Sequence, residues 1–485
     1  MRSLRAHAVG GVKFTAASAV CLNGIQLVQL AILARLLPAS DFGLMGMVNV
    51  AVGLGTLLAD PGIGSAVIQR REPSRDSLSS LYWTSVATGA AIFIVIAAAA
   101  PAVGSFFDDG RLEGPLRLSG FLFLIAPWGQ LYVALMEKDL RFRELARIEV
   151  AAGAVGLIVA VATALAGMGV FALVWGALAG GFSRTAGTIW LGRGSWQPRL
   201  RFVPRSLEGY LGFGLYHTGQ RLVNYSAANV DFLLVGKLLG ARPLGLYAVA
   251  YNLAILPASR LNPVLSRVFF PLFVRVQDDL PRLRRGFLRM QAVTSLLSLP
   301  VLFGMLAVAP AGVPLMLGES WRAATRLVQV LCVVGIVRSI AGTVGPLLLA
   351  RGRTDLGFRW SLLVVAVQVP ALYLGARVGG VLGVAVAFAL VMSVFLAPNY
   401  LILVRALIGS CLREYVGAVW PLFWKSSLMA GAVLISGRLM PEEPASLVLV
   451  MQAALGVVIY LGLLLKYQKQ FLFSIRSLIA EKGGA

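Results

Sequence analysis

The sequence predicts an all-α integral membrane protein with about fourteen transmembrane helices. Three observations carry this. Of 485 residues, 58% are hydrophobic and only 13% charged, about half the charge of a soluble protein. Mean hydropathy is +0.82. Apolar stretches long enough to cross a bilayer recur from end to end, separated by short polar breaks. Water could not solvate such a surface, whereas a bilayer could.

A spanning helix needs about 20 mostly apolar residues, because 1.5 Å per residue must cross about 30 Å of hydrocarbon. On that rule the segments fall roughly at 14–36, 42–68, 81–100, 118–136, 148–166, 170–190, 210–239, 244–266, 290–309, 326–349, 361–376, 380–403, 421–437 and 447–465. The positive start at Arg2, Arg5 and Lys13 lacks the apolar core of a signal peptide before Ala17-Ser18-Ala19, so it reads as the start of a retained first helix. The segments at 42–68, 210–239 and 244–266 are long and carry polar residues, which predicts tilts or kinks. Pro257 and Pro263 mark the kink of the eighth segment.

Net charge is +22. Nucleic-acid binding is not implied, because the basic residues sit in short clusters between apolar segments. With a cytoplasmic N-terminus, the cytoplasmic gaps and tails hold about 28 Lys and Arg, against about 6 outside. Both termini are therefore expected in the cytoplasm. Cys21, Cys332 and Cys411 are scattered, with neither disulfide nor metal-ligand spacing. No Walker A sequence is present, short loops leave no room for a soluble catalytic domain, and no cofactor is expected.

The chain also repeats. Arg35 to Leu44 and Lys237 to Leu246 share leucines, glycine and alanine at an offset of about 202 residues. The first segment then corresponds to the seventh, and the repeat is parallel. Two six-helix lobes follow, 1–208 and 209–410, with two further helices and a tail in 411–485.

Charges deep in a membrane cost roughly 2.5–3.5 kcal/mol each, so they should face a cavity or a partner. On the seventh segment His217, Arg221, Asn224 and Asp231 fall within an arc of about 80°. Asn252, Arg260 and Arg267 form a similar stripe on the eighth. Asn23, Gln26 and Gln29 align on the first, Asp60 precedes Pro61 on the second, and Arg184 and Arg338 lie on the sixth and tenth. Bland roles stand beside each: Arg35 and Lys237 snorkel to the interface, Asp60 satisfies broken backbone, Asp231 pairs internally, and His217 is a packed polar residue. Arg221 and Arg260 are the hardest to read that way. Intramembrane cations outnumber anions, which favours an anionic substrate, and the planar donors of Arg suit phosphate.

Several stretches carry a family resemblance. They are Ala34 to Leu37 with Asp41 to Leu44, Asp60 to Arg70, Asp139 to Arg143, Asn229 to Gly240, and Leu244 to Tyr247. In these the chain resembles polysaccharide-export flippases of the Wzx type. Their superfamily also holds lipid II flippases and multidrug extruders. The resemblance implies a bacterial inner-membrane protein that moves undecaprenyl-diphosphate-linked oligosaccharide between leaflets for exopolysaccharide, capsule or O-antigen synthesis. It implies no catalytic residue. Arg221, Arg260 and Arg338 would hold the diphosphate, and Asn23, Gln26, Asn224 and Asn252 would meet sugar hydroxyls. Asp60, Asp231 and His217 are the only candidates for ion coupling. Implied partners are the lipid-linked substrate, membrane lipids, and polysaccharide polymerase and export proteins. The rival readings are a cation-coupled drug exporter, a membrane polysaccharide-assembly enzyme, and a scaffold.

Overall fold

The computed structural model describes residues 2–59, 67, 74–200, 202–203, 222, 225–439 and 444–467, with side chains outside 2–17, 256–264, 267–268, 445 and 467. The described residues contain helices and no strand. Among the described residues, nine helices are long and apolar enough to cross a membrane, and a bent pair adds a tenth. The helix surfaces fit lipid. Ile94, Val95, Ile158, Phe182, Trp190 and Leu390 are all at least 60% exposed, a display that water would penalise.

The first helices are α1 (Arg2–Leu36), α2 (Ala39–Ala59) and α3 (Arg75–Phe107). Ser74 caps α3 by accepting from the Ser77 N–H. Asp108 ends it in the left-handed region, φ 55°, which a short polar side chain tolerates. A 3₁₀ turn at Gly110–Leu112 leads into α4 (Glu113–Ile125) and α5 (Pro127–Lys138). These two form one span bent by 46°, with Pro127 at the break, where its missing N–H does no harm. A tight helical pair follows, α6 (Phe142–Leu165) and α7 (Val170–Gly192).

The element order then recurs. After α8 (Val230–Leu239) and α9 (Ala241–Arg275) comes the long α10 (Leu280–Leu317), capped by the Asp279 carboxylate. A second 3₁₀ turn at Glu319–Trp321 leads into a second interrupted helix, α11 (Ala324–Ala341) and α12 (Val344–Ala350). Next, α13 (Thr354–Val394) is two helices joined at Gly379 and Gly380. Gly380 has φ +56°, which favours glycine, and Gly375 and Gly383 bring the two backbones together where side chains would collide. The second arm continues through a π-helical turn, Asn399–Val404, to Ile408. The chain ends in α14 (Leu412–Arg438) and α15 (Ala445–Tyr467).

Two compact units result, Met1–Ala248 and Val249–Ala485. The first is packed by small residues along α6 and α7 and by an aromatic cluster of Tyr82, Tyr132 and Trp196. The second has a continuous apolar core of α10, α11, α12, α14 and the π-helical turn. The α11–α12 interruption lies within it. Thr343 Oγ donates to Gln291 Oε1 at 2.5 Å, and Gln291 Nε2 donates to Ser295 at 3.3 Å. The Ile340 carbonyl accepts from the Tyr415 hydroxyl at 3.2 Å. Gln291, Ser295 and Thr343 are essentially inaccessible. Of these bonds, that of Tyr415 satisfies a backbone carbonyl at the break, which an interrupted helix in hydrocarbon needs because no water is there to supply it.

Thr343→Val keeps the volume and removes the donor to Gln291. An unsatisfied buried amide costs about 1–3 kcal/mol, so the melting temperature of the detergent-purified protein should fall, while Thr343→Ser should restore it.

Candidate functional site

Of the residues singled out from sequence, His217, Arg221, Asn224 and Asp60 lie outside the described residues, and so do the side chains of Arg260 and Arg267 on α9. Gln26 on α1 and Asn252 on α9 are exposed. Asn23, one turn before Gln26, is half-buried, and its buried Oδ1 has no hydrogen bond among the described residues. Asp231 is fully buried in the first turn of α8 and accepts from the Tyr247 hydroxyl at 2.7 Å. Phe232 stands edge-on to the same tyrosine. Arg184 meets Glu149 at 3.5 Å, joining α7 to α6, and both are about half exposed.

Arg338 is the best-defined cation of the set. It sits one turn before the α11 break, whose geometry the Thr343 and Tyr415 bonds fix. Its Nη1 donates to the Tyr251 hydroxyl on α9 at 2.7 Å. The guanidinium lies 5.2 Å from the Phe388 ring centroid and 5.8 Å from that of Tyr251. Two aromatic faces thus offset part of its desolvation. Arg338 also lines a small cavity of about 100 Å³ with Trp360, Met392, Phe395 and Asn399. Asn399 is 5% exposed, opens the π-helical turn, and presents an Oδ1 with no hydrogen bond among the described residues. Arg338 and Asn399 therefore line one apolar-walled hole, room for a few waters or a small polar group. π-Helical turns occur disproportionately at functional positions.

Sequence reasoning missed Lys425. It is 2% exposed inside α14, with its ammonium 5.8 Å from the Trp424 ring. A lysine in the middle of the 421–437 segment was the available signal. The Gln291–Thr343 network was also missed, since its members look like ordinary polar residues near apolar runs. Among the described residues, no group of His, Cys, Asp and Glu could hold a metal ion. Between α3 and α4, outside the spans, Arg111 bonds both carboxylate oxygens of Asp109 and holds that carboxyl below its ordinary pKa.

The chain matches the model of a polysaccharide biosynthesis protein family over residues 32–326. It belongs to that family. Within it, the chain is of the Wzx type and is a multi-pass protein of the bacterial inner membrane. The lipopolysaccharide biosynthesis protein WzxC of Escherichia coli K12 is 32% identical over 87% of this chain and 86% of its own length. The teichuronic acid biosynthesis protein TuaB of Bacillus subtilis 168 is 31% identical over 100% of this chain and 99% of its own. Among solved structures, the lipid II flippase MurJ in an inward closed conformation superposes with a TM-score of 0.70 over 95% of this chain and 100% of that one, at 12% identity. An inward-facing multidrug transporter of the MOP superfamily gives 0.59 at 14% identity, over 78% and 92%. At such identities the likeness shows a shared fold.

Tyr251→Phe should destabilise this family member by about 1.5–3 kcal/mol, as expected for a hydrogen bond to a charged group. Arg338→Met and Tyr251→Phe should be non-additive by about 1 kcal/mol or more in a double-mutant cycle read by thermal unfolding in detergent.

Proposed function

We propose that this chain is a flippase for undecaprenyl-diphosphate-linked oligosaccharide, moving repeat units from the inner to the outer leaflet for exopolysaccharide, capsule or O-antigen synthesis. The observation that carries this reading is the family match, which joins relatives named for lipopolysaccharide and teichuronic acid biosynthesis to the fold of a lipid II flippase. In this reading the chain has fourteen spans, two six-helix lobes (1–208 and 209–410), two added helices in 411–485, and both ends in the cytoplasm. It works without catalytic residues of its own.

Diphosphate and sugars cannot cross hydrocarbon unaided, whereas the isoprenoid tail can stay in the bilayer beside an open seam. Arg221, Arg260 and Arg338 supply cations to the diphosphate. Asn224, Asn252 and Gln26 meet sugar hydroxyls; the exposure of Gln26 and Asn252 is compatible with that task. Rocking of the lobes switches access. A potential negative inside favours outward passage of an anion by about 2.3 kcal/mol per charge per 100 mV, which can drive the step without an ion. If an ion is coupled, Asp60, Asp231 or His217 carries it. The Tyr247 bond to Asp231 favours pairing over coupling at that position. The polymerase and export proteins would take the product on the outer side.

A cation-coupled drug exporter is the second reading, favoured by the fold shared with multidrug transporters. The excess of intramembrane arginine weighs against it, since a cationic drug calls for acidic lining. An assembly enzyme or a scaffold would not depend on the arginines in this way.

Arg221→Ala and Arg260→Ala, expressed at normal membrane levels in a strain lacking the chain, should each lower polysaccharide export by about tenfold or more. The lipid-linked oligosaccharide pool should grow on the inner leaflet. Normal export in both variants would remove the arginine cavity from the mechanism.

A further inference from the structure

The repeated motif meets itself within the first unit. α2 begins at Ala39 and α9 at Ala241, positions equivalent by the repeat offset, and Gly43 and Gly245 are equivalent in the same way. A side chain on Gly43 would overlap the Ala241 carbonyl, and one on Gly245 would overlap the Ala39 carbonyl. The contact is therefore reciprocal, the signature of a pseudo-two-fold axis through the first turns of the two helices. Only glycine permits backbones to approach this closely. Leu44 and Leu244 flank the crossing and are 1% and 0% exposed.

The surroundings divide into strong and weak contacts. The α8–α9 hairpin is held together by the buried Tyr247–Asp231 bond. Its seat on α2 and α3 packs Met47 and Phe107 against Gly236 and Leu244 against Gly46, and adds one ion pair. Lys237 pairs with Asp108 at 2.5 Å and lies over Phe106 at 5.6 Å, but its side chain is 37% exposed and that of Asp108 72%. Such an exposed pair is worth about 0–1 kcal/mol, and water can replace it. Where glycine backbones touch, no side chains must disentangle. The α8–α9 hairpin is thus one piece, seated on α2 and α3 by a backbone crossing, a small set of apolar side chains and one exposed ion pair.

We propose that the Gly43–Ala241 and Gly245–Ala39 contact, latched by Lys237 and Asp108, is the closed outer gate of this transporter and that translocation requires it to open. The proposal rests on the flippase reading above and on the charge bias that puts these turns on the outer side.

The test uses the full-length chain with Cys21, Cys332 and Cys411 replaced and Leu244→Cys as reporter. An impermeant maleimide is applied to intact cells. Gly43→Ala or Gly245→Ala should speed labelling at least about tenfold over the parent, because the added methyl displaces a backbone and not a flexible side chain. Unchanged slow labelling at normal membrane levels would overturn the gate. A second arm needs no glycine variant: Asp108→Cys with Lys237→Cys, joined by a short bis-methanethiosulfonate that forms a disulfide to each cysteine and releases methanesulfinate, should stop export, and reduction should restore it. Full export while joined would overturn the gate and leave the flippase reading standing. Labelling needs no substrate, so it judges the gate even if the unjoined protein fails to rescue export, a result that would count against the flippase reading alone.

Discussion

Hydrocarbon offers the backbone no hydrogen bonds, and the architecture follows from meeting that requirement inside the chain. Continuous helices satisfy it without help, which is why the described residues are helices joined by short turns. Where a helix is interrupted, a partner is found nearby. At the α11–α12 interruption the Ile340 carbonyl accepts from the Tyr415 and Thr343 hydroxyls. The same repair holds Arg338 at a fixed height in the second unit, so a backbone requirement ends by placing a cation.

Charge is handled by the same rule. Arg338 is taken up by Tyr251 and the Phe388 face, Arg184 by Glu149, and Asp231 by Tyr247. Their environments differ. Asp231 is sealed, whereas Arg338 borders a cavity that Asn399 also lines. The sealed pair ties α8 to α9, whereas Arg338 keeps one side toward the cavity.

Much of the fold was legible because length and hydropathy are one-dimensional quantities. The segment at 148–166 corresponds to α6, that at 170–190 to α7, and the boundary between 376 and 380 falls on the Gly379–Gly380 turn. The interruptions at Ala126 and Gly342 were not legible, since the bilayer-spanning composition runs through them unchanged. Lys425 was passed over inside a segment that was apolar on average. The repeat was visible as matching letters, but that its glycines touch each other's repeat depends on tertiary packing. Of the site, the arginine excess was readable. Which arginine has which partner was not, because Tyr251 and Phe388 are 87 and 50 residues from Arg338 in the chain.

The most direct measurement is transbilayer movement itself. The purified chain would be reconstituted into vesicles carrying an undecaprenyl-diphosphate oligosaccharide labelled on its sugars, and a membrane-impermeant sugar-modifying reagent would be added outside. The account predicts that nearly all the labelled lipid becomes reactive in protein-containing vesicles, against about half in protein-free ones, and that an unrelated membrane protein does not reproduce this. Reactivity that stays at the protein-free level, with the chain folded and inserted, would contradict it.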